Sequence, residues 1–237
     1  MILEELIALV ITFALALIWL RINDFAAHKG WISGSLSRKI IHIGTGPIFV
    51  LCWLIFPPDP VARYIAALVP LAITAQFFLV GAGLIKDPSA VEAMSRTGRR
   101  EEILRGPLFY GIVFVVLTLW FWKDSPIGIT ALMLLCGGDG FADIVGQRLG
   151  KKRLPWSPKK SWSGSLAMFL GGFAFAALIL LVFIQAGVFA LSWSQVLGPL
   201  AFIAFVGTLV ESLPLADLDN LTVPAATVLL GFVLMHG

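Results

Sequence analysis

Eight stretches of roughly twenty apolar residues follow one another along the chain, at about 2–20, 40–57, 61–84, 106–122, 126–147, 164–186, 195–212 and 221–236. Each is long enough to cross a hydrocarbon layer, and the connections between them are short and charged. In hydrocarbon only helices and closed barrels satisfy the backbone. A barrel needs segments of about ten residues with strict alternation, and these are absent. Of 237 residues, 59% are hydrophobic and 13% charged, about half the charged share of an ordinary soluble domain. A compact soluble body cannot accommodate that much apolar surface. The expected fold is all-α: a polytopic integral membrane helical bundle of about eight transmembrane helices, within a range of about seven to nine, forming one domain over residues 1–237.

The first stretch is read as a retained helix. Glu4 and Glu5 precede it and Arg21 follows it, the reverse of a secretory signal. Pro57-Pro58-Asp59-Pro60 and Lys123-Asp124-Ser125-Pro126 break the chain tightly, and all eight Trp fall near proposed span ends, as an aromatic belt requires. Fifteen of the seventeen Lys and Arg lie in one set of connections, leaving only Arg63 and Lys123 for the other. The positive-inside rule puts the rich set in the cytoplasm, with both termini outside for eight spans. In the connection 85–105, Asp87 suits an N-cap and Pro88 a first helical position, so a short interfacial helix is expected there. Cys52 and Cys136 lie in apolar stretches and offer no disulfide framework or metal cluster.

Four polar groups fall on the cytoplasmic side. The first is Ser37-Arg38-Lys39-Ile40-Ile41-His42, where Arg38, Lys39 and His42 can share a helix face. Simple charge anchoring with a core histidine is the alternative. The second runs from Ser95-Arg96 through Arg99-Arg100-Glu101-Glu102 to Arg105-Gly106-Pro107, and on its own reads as a solvated charged face. The third is Gly137-Gly138-Asp139-Gly140-Phe141-Ala142-Asp143. Its two carboxylates, four residues apart, project from one helix face, where like charges repel and desolvation is costly. A magnesium ion arriving with phosphates would relieve both, and the small residues allow close backbone approach; carboxylates paired to nearby Lys or Arg, with the glycines for packing, are the alternative. Directly after it come Lys151, Lys152, Arg153, Lys159 and Lys160, interleaved with Ser157, Ser161, Ser163 and Ser165 before a helix start. Cationic donors beside a helix N-terminus suit a polyphosphate; a loop touching anionic headgroups is the alternative. The fourth is Glu211-Ser212-Leu213-Pro214 with Asp217, Asp219 and Asn220, acids on a side otherwise rich in bases. Asp217, Asp219 and Asn220 are good oxygen ligands, or a turn and helix cap.

No G-x-x-x-x-G-K-[ST], protein-kinase Gly-rich loop, G-x-S-x-G or H-E-x-x-H occurs, so any nucleotide site is of another design. The segments Gly138-Asp139-Gly140-Phe141-Ala142-Asp143-Ile144-Val145-Gly146, Pro158-Lys159-Lys160-Ser161-Trp162-Ser163-Gly164-Ser165, Glu211-Ser212-Leu213-Pro214 and Asp219-Asn220-Leu221-Thr222-Val223-Pro224 resemble the phytol kinase family. That family groups with dolichol kinases and CTP-dependent diacylglycerol kinases. Arg38-Lys39-Ile40-Ile41-His42 and Leu104-Arg105-Gly106-Pro107-Leu108-Phe109-Tyr110 also look like its N-terminal motifs, and the resemblance runs from about residue 36 to 230 in the family's order.

The resemblance implies phosphoryl transfer from CTP, in some members UTP, to the hydroxyl of a membrane prenol such as phytol or geranylgeraniol. The mechanism expected on that basis gives catalytic roles to Asp139, Asp143, Lys160 and His42, with a carboxylate near the alcohol or His42 as proton acceptor, and magnesium on Asp139 and Asp143 with Asp217, Asp219 and Asn220. Phosphate contacts fall to Arg38, Lys39, Arg105, Lys151, Arg153, Lys159, Lys160, Ser161 and Ser165. The expected partners are CTP, the lipid alcohol and the bilayer; no nucleic acid is expected, and a homodimer is left open. Rival readings are a phosphatidate cytidylyltransferase, a dolichol or diacylglycerol kinase, and a transporter. The cytidylyltransferase C-terminal signature is missing here, and no inverted repeat of the transporter kind is visible.

Overall fold

The computed structural model describes residues 2–95, 97–215 and 218–235. Arg96 and Asp217, both named above, lie outside the described residues. The helices in chain order are α1 (Ile2–His28), α2 (Gly34–Cys52, extended by a 3-10 turn Trp53–Ile55), α3 (Ala62–Gly81), α4 (Pro88–Met94) and α5 (Gly106–Trp120). They continue with α6 (Pro126–Met133), a π-helical turn Leu134–Asp139, α7 (Gly140–Leu149), α8 (Trp162–Gln185), α9 (Trp193–Glu211) and α10 (Asp219–Leu234). Between α7 and α8 lies a hairpin of β1 (Arg153–Leu154) and β2 (Ser157–Ser161), paired antiparallel. Among the described residues, seven helical segments are long and apolar enough to cross a membrane. α10, at 16 residues, is a shorter apolar helix. The all-α polytopic bundle expected from the sequence is what the chain forms.

Helix starts follow local chemistry. Ser33 caps α2 by accepting from the Leu36 N–H at 3.3 Å. Asp87 accepts from Ala90 N at 2.9 Å with Pro88 behind it, giving the expected interfacial helix α4. Ser161 caps α8, accepting from Gly164 N at 3.1 Å. In each case a short oxygen-bearing side chain satisfies an otherwise orphaned N–H. Two boundaries differ from the hydropathy reading. α1 continues to His28 and α2 begins at Gly34, because a helix keeps its backbone bonds as it passes from hydrocarbon into polar surroundings. The hairpin is the other addition: Arg153 Nη1 donates to the Lys159 carbonyl at 3.1 Å across its two arms.

The segment α6–π–α7 is the axis of the bundle. Of its most apolar stretch 78% is buried, against 22–39% for the other six. Close contact with it is allowed by missing side chains. A methyl group on Gly46 of α2 would sit 2.2 Å from Cys136 Sγ, and one on Gly138 2.6 Å from Met168 Sδ of α8.

The connections sort onto two faces. On one, Arg38 of α2 donates to the Ser95 carbonyl after α4, Lys39 pairs with Asp143 of α7, and Asn220 of α10 donates to Gly106 O of α5 at 3.0 Å. On the other, Arg63 meets Asp124 at 2.5 Å and Lys123 donates to Phe56 O at 3.0 Å. The basic motifs therefore share a face, opposite Arg63 and Lys123. Gly46→Val should lower stability by about 1–3 kcal/mol through overpacking, read as a fall in melting temperature in detergent. Gly198→Ala, with no heavy atom within 4 Å of the added carbon, should melt with the wild type.

Candidate active site

Three carboxylates meet on the basic face. Asp139 ends the π-helical turn, Glu211 ends α9 and Asp219 opens α10. One oxygen from each lies within 4.8 Å of the other two. Glu211 is 3% exposed, while Asp139 and Asp219 keep about a quarter and a fifth of their side-chain surface, 26% and 21%. The pleat of β2 sends Lys160 inward and leaves Lys159 exposed. Lys160 Nζ pairs with Glu211 and lies 3.2 Å from Asp219. Burial alone would lower the Lys160 pKa, but Glu211, Asp139 and Asp219 outweigh it and hold the ammonium above its ordinary value. Lys160 is therefore a cation at neutral pH.

Ionised, three carboxylates and one ammonium carry a surplus of two negative charges. Hard oxygen donors with that surplus fit a divalent ion such as magnesium. The donor set thus passes the test that the implied metal poses.

His42 reaches the same place from α2. Its Nε2 is 3.6 Å from Asp139 Oδ2 and is buried with no hydrogen-bond partner, and its ring faces the Leu135 carbonyl within the π turn. π turns are frequent at functional sites because they displace a carbonyl or side chain from its helical position.

The sequence placed Asp139 and Asp143 together, and the structure separates their roles. Asp143, one turn further along, is 46% exposed, pairs with Lys39 and accepts from Gln147 Nε2 at 2.8 Å. Asp139 groups instead with Asp219, as foreseen, and with Glu211, which was named in its motif without a role. A lone acid closing an apolar span was the available signal. Asn220 sits beside Asp219 with its amide nitrogen on Gly106 O, so it ties α10 to α5.

The phosphate candidates divide similarly. Ser161 is the α8 cap, and the Ser165 hydroxyl one turn on is buried without a partner. Lys151, Lys159 and Arg153 line the exposed side of the hairpin. Arg105 stands where the 3-10 turn Arg100–Leu104 meets α5, next to the Gly106 that Asn220 holds. Arg38 spans from α2 to Ser95. Lys160 of the hairpin is thus the cation in contact with the carboxylate group, while Lys39 of α2 pairs with Asp143.

Breaking a fully buried ion pair costs about 3–5 kcal/mol. Glu211→Gln should cost less, about 1–2 kcal/mol, because Lys160 is itself 26% exposed and keeps Asp219. Thermal melting in detergent at neutral pH measures it.

The chain is 44% identical over 216 residues to a probable chloroplastic phytol kinase of Triticum aestivum, covering 90% of this chain and 72% of that one. It is 41% identical over 204 residues to chloroplastic phytol kinase 1 of Arabidopsis thaliana, covering 85% and 67%. With a probable chloroplastic phytol kinase 3 of Glycine max the identity is 38% over 234 residues, covering 98% and 73%. No family model matches the chain, and no solved structure does. On the strength of identities of this size over most of both chains, the protein belongs to the phytol kinase family.

Proposed function

We propose that the chain is a CTP-dependent kinase that phosphorylates the hydroxyl of a membrane prenol, phytol or geranylgeraniol, at the cytoplasmic face of the bilayer. The observation that carries this reading is the convergence of Asp139, Glu211 and Asp219 on Lys160, with His42 alongside. Membership of a family whose named members are phytol kinases supports the alcohol acceptor. The basic surround supports a polyphosphate donor, and the concentration of Lys and Arg on this face supports the cytoplasmic orientation.

In the proposed reaction the prenol oxygen bonds to the terminal phosphorus of CTP, the bond from that phosphorus to the bridging oxygen breaks, and CDP leaves. The hydroxyl proton passes to His42, whose unpartnered Nε2 faces Asp139. Lys160, Lys159, Lys151 and Arg153 neutralise phosphate charge from the hairpin. Ser161 and Ser165 donate to phosphate oxygens at the N-terminal end of α8, where the helix dipole favours an anion. Arg38, Lys39 and Arg105 close the basic rim. Magnesium, held by Asp139, Glu211 and Asp219, would supply further charge neutralisation on the phosphates. Positioning and charge carry most of such a transfer. The prenol lies among the helices with its hydroxyl at the membrane interface.

The test is incubation of the purified protein with magnesium and CTP labelled at the terminal phosphate, over phytol, geranylgeraniol, dolichol, diacylglycerol and, as a lipid phosphate acceptor, phosphatidate. Label should appear in phytol or geranylgeraniol phosphate with release of CDP, and a chelator should stop it. Asp139→Asn and Lys160→Ala should each lower transfer by about a hundredfold or more while both variants still insert in the membrane. Label recovered in pyrophosphate beside a CDP-lipid would mark a cytidylyltransferase and refute the kinase.

A further inference from the structure

We infer that Tyr110 is a positioning residue for this reaction, packing on the imidazole of His42 and holding it beside Asp139. The inference rests on the proposed role of His42 as proton acceptor.

Tyr110 lies one turn into α5, four residues beyond the Gly106 that Asn220 grips. Its ring stands 4.4 Å from the His42 ring, tilted by 39°. Its hydroxyl donates to the backbone carbonyl of His42 itself at 3.1 Å. The hydroxyl has one proton, so its 3.1 Å contact with Cys136 Sγ is filled by the thiol donating to the phenol oxygen. Phe114 continues the stack behind Tyr110, with ring centroids 4.7 Å apart.

The need for such a hold follows from the sequence of α2. Pro47 lacks an N–H, so the Ile43 carbonyl loses its helical partner just after His42. Gly46, pressed against Cys136, adds no side chain to stiffen the turn. The helix turn that follows His42 is therefore short of one backbone bond. Tyr110 and Cys136 supply the fixing from α5 and from the π turn, the same turn that delivers Asp139. The imidazole is thus set by one packed unit relative to its carboxylate, and small displacements at a reacting group are costly to rate.

Steady-state kinetics of the full-length protein in detergent, with CTP and the prenol varied in turn, test the assignment. Tyr110→Phe keeps the ring and removes the hydroxyl; its kcat should fall about tenfold, with KM for both substrates and the melting temperature as in wild type. Tyr110→Leu, which also removes the aromatic face, should lower kcat about a hundredfold. In a His42→Gln background Tyr110→Phe should cost nothing further, since residues acting as one unit are non-additive. A wild-type kcat for Tyr110→Phe while His42→Gln is impaired overturns the positioning role alone. So does a Tyr110→Phe loss that persists undiminished in the His42→Gln background. A wild-type kcat for His42→Gln overturns the proton-acceptor reading, and the positioning role with it.

Discussion

An ammonium and carboxylates held at the edge of a hydrocarbon slab are tolerable only as a mutually compensated group, and the basic face of this protein is built around that requirement. Lys160 against Glu211 and Asp219 draws the hairpin, the end of α9 and the start of α10 to one point. Asp139 brings the π turn there, and His42 brings α2. Removing any one member leaves charge exposed to a low dielectric, where it is expensive. The same compensation that stabilises the fold concentrates the groups proposed to handle a phosphate.

Close approach of backbones makes the convergence geometrically feasible. The axial segment α6–π–α7 is nearly all buried, and its glycines let α2 and α8 lie against it where larger residues would collide. The π turn then sets Asp139 and the Leu135 carbonyl toward His42. Around the core, exposed Leu, Ile and Phe side chains on α1, α3, α8, α9 and α10 suit lipid as solvent. In the proposed reaction, a rigid centre with a polar end and a lipid-facing periphery would let a hydrophobic alcohol and a charged nucleotide meet without either leaving its own medium.

Hydropathy made the spans legible because backbone satisfaction in hydrocarbon leaves few alternatives. The Asp87-Pro88 cap was legible for a similarly local reason. Where the reading fell short, the missing information was tertiary. Ideal α-helical spacing placed Asp139 and Asp143 as partners, but Asp143 found Lys39 on α2 and Asp139 found Glu211 and Asp219 across the bundle. Glu211 stood in plain view as an acid ending an apolar span. Tyr110, by contrast, carries no pattern that tells which neighbour its hydroxyl meets. The hairpin was hidden because two short polar strands leave no hydrophobic period.

The central claim is that Asp139, Glu211 and Asp219, and not the pair Asp139–Asp143, form the cation-binding group. Titrating manganese into the purified protein with a non-hydrolysable CTP analogue, and reading the bound ion by electron paramagnetic resonance, tests it without turnover. The account predicts saturable binding that weakens at least about tenfold in Asp139→Asn and in Asp219→Asn, with Asp143→Asn within about twofold of wild type. Undiminished binding in Asp219→Asn, or a loss in Asp143→Asn as large as that in Asp139→Asn, would contradict it.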